Sequence, residues 1–305
     1  MQALQIMPTS HVPPRALLLV FVLTVVWGTN WTLFPLAMRE ISVRTFRAFS
    51  LAGAGLILLV VGRLRGQTLG IPRRHWAIIA SASVFYLLVW NLCSAYSALL
   101  IPTGQTAVLG FTMPLWSALI SWTVFGERLS MRSALAVALG GTAVALLMVP
   151  GLAAYAQAPR GFALGVLGGL GWAVGTHILK RSPLEVPATV LTGWQLLLTS
   201  LPIAVGALWM GDGHWFVPSW QSIAVVTYIT LVPMAIGNVC WFSIVGLLPA
   251  NVAGLSAIMV PVVAMLFGAA TRGEPLGPLQ LAALGCCVAA LSLVVLKPAQ
   301  KSENL

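Results

Sequence analysis

Long apolar runs alternate with short polar segments along the whole sequence. The runs cover residues 16–37, 43–62, 76–97, 104–125, 133–150, 161–179, 187–209, 221–243, 251–271 and 279–296. Each run is close to the roughly 20 residues that a helix needs to cross a bilayer core of about 30 Å. The apolar residues are continuous, whereas a membrane β-barrel alternates apolar and polar positions over segments of about ten residues. Because a backbone in lipid must satisfy its own hydrogen bonds, the pattern predicts an all-α integral membrane protein with ten transmembrane helices.

Two parts of the sequence resemble each other at a distance of about half the chain. MPLWSALISWTVFGERL, residues 113–129, corresponds to VPVVAMLFGAATRGEPL, residues 260–276. A weaker similarity links VVWGTNWTLF, residues 25–34, to LGWAVGTHIL, residues 170–179. The sequence therefore indicates a duplicated unit.

The duplication predicts two repeats, 1–150 and 151–305, with five spans each. Because five is odd, the second repeat enters the membrane in the opposite orientation to the first. Inverted repeats with a substrate site at the midplane between the halves are typical of secondary transporters. A scaffold and a channel are the alternatives for a duplicated five-helix unit.

Composition supports the membrane assignment. Hydrophobic residues make up 59% of the chain and charged residues 7%, with a mean hydropathy of +0.96. An ordinary soluble domain carries about 25% charged residues. Basic residues at the span ends, in contact with anionic headgroups, explain the formal net charge of +10. Since the sequence has no soluble module with clustered basic residues, we expect a lipid bilayer and no nucleic acid as partner.

Nothing in the sequence indicates catalysis or metal binding. Cys93, Cys240, Cys286 and Cys287 fall within apolar runs and lack metal-ligand spacing. Neither H-E-x-x-H nor G-x-S-x-G occurs. We therefore expect no metal, no cofactor and no enzymatic activity.

The distribution of Lys and Arg predicts the orientation, because these residues concentrate on the cytoplasmic side. One side of the ten spans would hold Arg15, Arg63, Arg65, Arg73, Arg74, Arg128, Arg132, Lys180, Arg181, Lys297 and Lys301. The other side would hold Arg39, Arg44, Arg47, Arg160 and Arg272. The larger group lies with the two termini, so we expect a multi-pass protein of the inner (plasma) membrane with both termini in the cytoplasm.

The order of these features resembles a known family. The sequence has WGTNW in the first span, Arg47 at the start of the second, and the pair GERL and GEPL after spans 4 and 9. This arrangement is similar to the drug/metabolite transporter superfamily, to its EamA branch, and within that branch to the YddG-type exporters of aromatic amino acids. The resemblance implies a basket in which spans 1, 3, 4, 6, 8 and 9 line a central cavity and spans 5 and 10 pack to one side. It also implies export of small metabolites, most of all aromatic or large apolar amino acids, with a carrier of another small metabolite or drug in the same fold as the alternative.

Polar and amphipathic side chains at mid-span are costly against lipid, so they tend to face an interior. The candidate cavity residues are Trp27, Asn30, Trp31, Tyr86, Trp90, Asn91, Trp116, Trp172, His177, Asn238 and Trp241. Aromatic rings suit a planar apolar ligand, and asparagine amides can serve amino and carboxyl groups. The alternatives are ring packing between helices, interhelical hydrogen bonds of the asparagines and a helix-end hydrogen bond of His177.

The positions of acidic residues and prolines bear on the mechanism. All six Asp and Glu residues fall at span ends, in connections or in the tail. Proton-driven carriers commonly place a carboxylate at membrane depth, so we expect transport that follows the substrate gradient. Pro114 and Pro261 interrupt equivalent spans and are candidate hinges. The oligomeric state stays open, with a monomer as one alternative.

Overall fold

The computed structural model describes residues 14–182, 184–210, 218–248, 250–272 and 276–295. These residues are helical apart from short links, and no strand occurs among them. The helical runs are α1 (Pro14–Ala37), α2 (Val43–Leu64), α3 (Arg73–Leu100), α4 (Thr103–Gly110 and Met113–Thr123), α5 (Met131–Gln157), α6 (Pro159–Lys180), α7 (Ala188–Trp209), α8 (Trp220–Leu247), α9 (Ala250–Ser256, Ala257–Met259 and Val260–Arg272) and α10 (Pro278–Val295).

Local sequence signals set several of the helix starts. Ser42, Ser130 and Ser219 precede α2, α5 and α8, and each hydroxyl accepts the N–H of the residue three positions later. Such a cap satisfies a donor that has no partner inside the helix. Pro102 and Pro187 precede the first residues of α4 and α7, where a missing N–H costs little.

Helix length and surface are those of a membrane protein. Among the described residues, seven runs, α1, α2, α3, α5, α6, α7 and α8, are long and apolar enough to cross a bilayer. α9 and α10 contain shorter apolar helices, and α4 is interrupted at 111–112. Large apolar side chains such as Phe21, Phe49 and Leu201 point outward with more than half of their surface exposed. Many serines, threonines and asparagines are buried instead, the reverse of a water-soluble protein.

The helices pack in a regular set of pairs. α2 lies against α7, and α5 lies against α10. α1 contacts α8 and α9, while α6 contacts α3 and α4. α5 and α10 share a separate apolar cluster with α4 and α9 that includes Val108, Ala143, Ile258 and Cys287. The other helices, together with α4 and α9, enclose the main core.

α3 and α8 each contain a wider helical turn, and α4 and α9 are each interrupted. α3 contains a π-helical segment at Ser83–Val89, and α8 contains one at Thr230–Gly237. Ser83 and Thr230 are separated by as many residues as Pro114 and Pro261. α4 breaks just before Met113–Thr123, and α9 passes through the 3-10 turn Ala257–Met259.

The predicted division of the chain at residue 150 falls inside a helical run. α5 was expected to end at 150, but it continues through the 3-10 turn Val149–Gly151 to Gln157. Pro150 has no backbone N–H to donate, so the helix tightens there rather than ending.

Candidate functional site

A small central cavity lies between α1, α2, α3, α4, α6 and α8. Its volume is about 40 Å³. It is lined by Trp27, Asn30, Trp31, Phe34, Arg47, Tyr86, Leu87, Trp90, Asn91, Ser94, Phe111, Trp172, Met234 and Asn238. The predicted residues Trp27, Asn30, Trp31, Tyr86, Trp90, Asn91, Trp172 and Asn238 therefore come together around one space.

Aromatic rings form most of the cavity wall. Trp172 is central, because its ring centroid lies 5.3 Å from that of Trp27, 5.1 Å from that of Trp90 and 6.0 Å from that of Tyr86. Trp31 extends the wall from Trp90 at 6.2 Å. Edge-to-face and tilted contacts of this kind favour aromatic partners beyond simple burial of area. The wall can therefore accept another flat ring when the rings separate.

The two π-helical segments create hydrogen-bond acceptors that the site residues use. In each segment the wider turn disturbs the normal helical ladder. Asn91 Nδ2 donates to the carbonyl of Leu87 at 2.8 Å, and Asn238 Nδ2 donates to that of Met234 at the same distance. Trp27 Nε1 donates to the carbonyl of Pro233 at 3.1 Å. The Nδ2 groups of Asn91 and Asn238 therefore donate within their own helices.

Asn238 also connects two helices. The Tyr86 hydroxyl donates to Asn238 Oδ1 at 3.0 Å, which joins α3 to α8 at the cavity. Asn91 Oδ1 and Asn30 Oδ1 are buried without a hydrogen-bond partner, as are the Ser94 hydroxyl and Trp172 Nε1. These unpaired groups are available to a ligand that enters the cavity.

Two glycines allow the helices to approach closely enough to build this wall. A Cβ on Gly175 of α6 would lie 2.6 Å from the backbone nitrogen of Tyr86. A Cβ on Gly237 of α8 would collide with the indole of Trp27. Any larger residue at either position would push α6 from α3 or α8 from α1.

Arg47 is the functional candidate that sequence reasoning missed. It was counted among the basic residues at span ends, but it lies within α2, lines the central cavity and is only 3% exposed. Its guanidinium carbon is 4.6 Å from the Phe34 ring centre and 5.1 Å from the Phe46 ring centre. The sequence signal for a buried Arg47 is its position one turn inside the predicted start of span 2. The topology count does not use this signal, because it treats all basic residues near span ends alike.

Three predicted residues lie outside the central cavity because their helical phase turns them away. Trp116 is half-buried and donates to the Thr112 hydroxyl within α4 at 3.1 Å. Trp241 is fully buried behind the wall, 5.1 Å from Trp172. His177 lies between α6 and α4, with Nε2 3.1 Å from the hydroxyl oxygen of Ser117. This contact agrees with the alternative for His177, a hydrogen bond near the helix end rather than a place in the cavity.

The candidate hinge prolines follow the helix irregularities in α4 and α9. Pro114 is the second residue of Met113–Thr123, directly after the break at 111–112. Pro261 is the second residue of Val260–Arg272, directly after the 3-10 turn. A proline at such a position removes a donor that has no helical partner.

A larger cavity of about 420 Å³ opens at the end of the molecule where α1 begins and α6 and α8 end. We call it the end cavity; Arg15, Lys180, Ser243 and Phe242 are among its lining residues. The Phe242 ring lies 5.1 Å from the ring of Tyr86, which lines the central cavity. The Phe242–Tyr86 pair therefore separates the two cavities.

Polar contacts join neighbouring helices at the opposite end of the molecule. Arg44 Nη1 donates to the Tyr96 hydroxyl at 3.0 Å. Glu40 Oε2 accepts the N–H of Ser219 and the hydroxyl of Ser222, each at 2.9 Å. The Ser219 N–H, with the hydroxyls of Ser219 and Ser222, holds the pKa of Glu40 below its ordinary value. We call these contacts the closed-end latch.

The central cavity cannot enclose a metabolite as it stands. A volume of about 40 Å³ has room for little more than water, whereas sites for small molecules span about 300–1,000 Å³. Binding therefore requires the rings to separate or the partition at Phe242 to move.

A bundle of long apolar helices with exposed apolar side chains and a polar, aromatic interior defines an integral membrane protein. The chain belongs to the EamA-like transporter family, whose sequence profile matches residues 14–149 and again residues 159–296. It is a membrane transporter of this family, in agreement with the resemblance noted in the sequence.

Relatives with similar length support the family assignment. The chain is 25% identical to the uncharacterized transporter YvbV of Bacillus subtilis, over 95% of this chain and 94% of the relative. It is 26% identical to the uncharacterized inner membrane transporter YedA of Escherichia coli, over 90% and 89%. It is 24% identical to a protein of Salmonella typhimurium named "Probable amino-acid metabolite efflux pump", over 91% and 93%. A solved crystal structure matches the fold with a TM-score of 0.75 at 19% identity, covering 91% of this chain and 95% of that one.

Proposed function

We propose that this chain is a secondary transporter that exports small metabolites, above all aromatic or large apolar amino acids, across the inner (plasma) membrane. The observation that carries the proposal is the ring-walled central cavity with unpaired polar groups in the middle of the bundle. The relative named as an amino-acid metabolite efflux pump supports the choice of amino acids.

We further propose ten spans in two inverted repeats of five helices. Exchange of the two repeats would replace α1 by α6, α8 by α3 and α9 by α4. The contacts of α1 with α8 and α9 then correspond to those of α6 with α3 and α4, and both sets of contacts occur. It would leave α2 paired with α7 and α5 paired with α10, as they are. The two π-helical segments are separated by as many residues as Pro114 and Pro261, and the family profile matches the chain twice. Both observations support the same division.

Alternating access is the mechanism that this symmetry favours. One end of the molecule holds the end cavity, and the other holds the closed-end latch. Tyr96 of the latch corresponds by the repeat to Ser243, which lines the end cavity. With the N-terminus in the cytoplasm, as the Lys and Arg distribution predicts, this conformation faces inward.

The positions of acidic residues support transport without a membrane-embedded carboxylate for proton coupling. Among the described residues, Glu40, Glu127 and Glu185 all lie in the links between helical runs. Glu127 pairs with Arg181 between two such links. Asp212, Glu274 and Glu303 lie outside the described residues. We therefore propose that the substrate gradient drives net movement.

Counterflow in proteoliposomes tests the function. Vesicles with purified protein are loaded with one unlabelled amino acid and diluted into the labelled one, over a panel of aromatic, aliphatic and polar amino acids. The proposal predicts saturable uptake that internal substrate accelerates, with aromatic and large apolar amino acids preferred. Linear flux that does not depend on internal substrate would indicate a channel, and absence of flux for every amino acid would refute the substrate class.

A further inference from the structure

We infer that Arg47 forms a carboxylate-binding subsite inside the central cavity, so that the molecule carries compounds with a carboxylate. The inference rests on the proposed function and adds to it the group that the substrate must have. It is carried by three features of the cavity: a buried cation with unpaired donors, two rings in contact with it, and two unpaired acceptors on the same lining.

The first feature is a positive charge that lacks a counter-ion. Arg47 is 3% exposed, and its Nε and Nη1 atoms are buried with no hydrogen-bond partner. A guanidinium stays protonated in proteins, and a buried charge is stable only when it is paired and hydrogen-bonded. The molecule therefore keeps an incompletely satisfied cation facing an internal space.

No carboxylate of the described chain supplies the missing partner. Glu40, Glu127 and Glu185 lie in links rather than within the helical runs. Glu40 is engaged by Ser219 and Ser222 in the closed-end latch. The two ring contacts of Arg47 provide some compensation through cation–π attraction, but they leave the N–H groups of Nε and Nη1 without an acceptor. An anion from outside the chain is the partner that these donors fit.

The second feature is the pair of rings that contact the guanidinium. Its carbon lies over the rings of Phe34 on α1 and Phe46 on α2, at 4.6 Å and 5.1 Å from their centres. Arginine presents its donors as a planar fork that matches a carboxylate with two parallel hydrogen bonds. Because the two ring contacts restrict the side chain of Arg47 before a ligand arrives, less ordering remains to be done on binding.

The third feature suits the amino group of an amino acid. Asn91 Nδ2 donates to the carbonyl of Leu87, which fixes the amide orientation and leaves Oδ1 as a buried acceptor without a partner. Asn30 Oδ1 on α1 is also unpaired. Both line the central cavity together with Arg47. An ammonium group can donate to these oxygens while its carboxylate meets Arg47 and its side chain enters the aromatic wall.

A purely structural Arg47, which only holds α1 to α2 through its two rings, predicts a different behaviour. In that case substitution would lower stability without changing which ligands bind. The test therefore compares ligands that differ only in their charged groups, L-phenylalanine, 3-phenylpropionate and phenethylamine. The measurement is the ligand concentration that produces half of the maximal thermal stabilisation of the purified full chain in detergent.

The unmodified protein should be stabilised by phenylalanine and by 3-phenylpropionate, but far less by phenethylamine, whose ammonium group is repelled by Arg47. In Arg47→Gln, the affinity for both carboxylates should fall at least about thirtyfold, as expected for loss of one partner of a buried charge pair. The discrimination against phenethylamine should disappear. Arg47→Lys should keep the order of the three ligands at reduced affinity, because it retains the charge but not the fork.

The matched control is Arg63→Gln, which makes the same charge change at an exposed position on the same helix. It should leave the order and affinity of the ligands unchanged. Unchanged phenylalanine affinity in Arg47→Gln would overturn the inference. If that variant does not fold, the unmodified protein provides the test. Binding of phenethylamine at least as tight as that of 3-phenylpropionate would then overturn the inference.

Failure of the subsite and failure of the proposed function can be told apart. If aromatic compounds do not bind but an aliphatic carboxylate does, and that binding is lost in Arg47→Gln, the subsite stands and the aromatic substrate class is wrong. If only uncharged or cationic compounds bind or are carried, the subsite is wrong and the carrier role stands. If no carboxylate stabilises the protein, the subsite is wrong.

Discussion

At the scale of single residues, the central cavity depends on polar side chains that serve the backbone of their own helix. Asn91 is 1% exposed and donates to the carbonyl of Leu87 in the π-helical segment of α3. Asn238 repeats this bond in α8. Side chains of this kind are unremarkable in the sequence, because nothing there marks where a helix widens to a π-helical turn.

Replacement of Asn91 by Ala should therefore destabilise the protein. The carbonyl of Leu87 would keep the backbone N–H of Trp90 but lose the Asn91 amide, and loss of one buried hydrogen bond typically costs about 0.5–1.5 kcal/mol. Thermal unfolding of the purified protein without ligand measures the effect. Asn30→Ala is the control, since Asn30 Oδ1 has no hydrogen-bond partner. Equal losses in the two variants would contradict the role assigned to the Asn91 bond.

At the scale of helical elements, the two ends of the molecule differ although the sequence predicts related halves. Glu40 links the α1–α2 connection to the start of α8. Its counterpart by the repeat is Glu185, separated from it by as many residues as Trp172 is from Trp27. Among the described residues, no hydrogen bond or ion pair joins Glu185 to another helix. The latch thus stabilises one end selectively.

The contribution of Glu40 should depend on pH with a definite sign. Hydrogen bonds from Ser219 and Ser222 lower its pKa below the ordinary value of 4.5. A carboxyl with a lowered pKa in the folded state stabilises that state above its ordinary pKa, and the stabilisation is lost as pH falls through the lowered pKa. The difference in melting temperature between the unmodified protein and Glu40→Ala should be present at neutral pH and vanish in acid. Glu185→Ala should show no such pH-dependent difference, and a Glu40→Ala difference that grows on acidification would contradict the latch.

The positions of helices could be predicted from the sequence, whereas the contents of the site could be predicted only in part. Continuous apolar runs placed the helices because their backbones have no other way to satisfy hydrogen bonds in lipid. Mid-span depth selects Trp27, Tyr86 and Trp172, which line the central cavity, but depth does not give helical phase, so it also selects Trp116 and Trp241, which do not line it. Arg47 was missed because its burial depends on neighbours from other helices.

At the scale of the whole molecule, the Lys and Arg distribution predicts the orientation in the membrane. The prediction places both termini in the cytoplasm and the link between α2 and α3 on the inner side. A cysteine at Gln67 in a background without the four native cysteines should therefore not react with an impermeant thiol reagent added to intact cells. Reaction from outside would contradict the orientation, and disrupted cells supply the control for accessibility.

Energy coupling is a second property of the whole molecule. Since the described acidic residues all lie in links between helical runs, counterflow should persist when an ionophore equalises pH across the vesicle membrane. Loss of counterflow under that treatment would contradict the proposal. It would also return attention to His177, the buried imidazole beside Ser117.

The central claim is that aromatic amino acids pass through the ring-walled cavity, and one comparison tests it most directly. Trp90 is half-buried and lines the cavity, while Trp116 is also half-buried but lies outside it. In proteoliposomes normalised to folded protein, Trp90→Ala should weaken phenylalanine transport by about 1–3 kcal/mol, or roughly 5-fold to 150-fold, and weaken threonine transport much less. Trp116→Ala should leave the preference between phenylalanine and threonine unchanged. Equal losses for both amino acids in Trp90→Ala, or the same shift of preference in Trp116→Ala, would contradict the account.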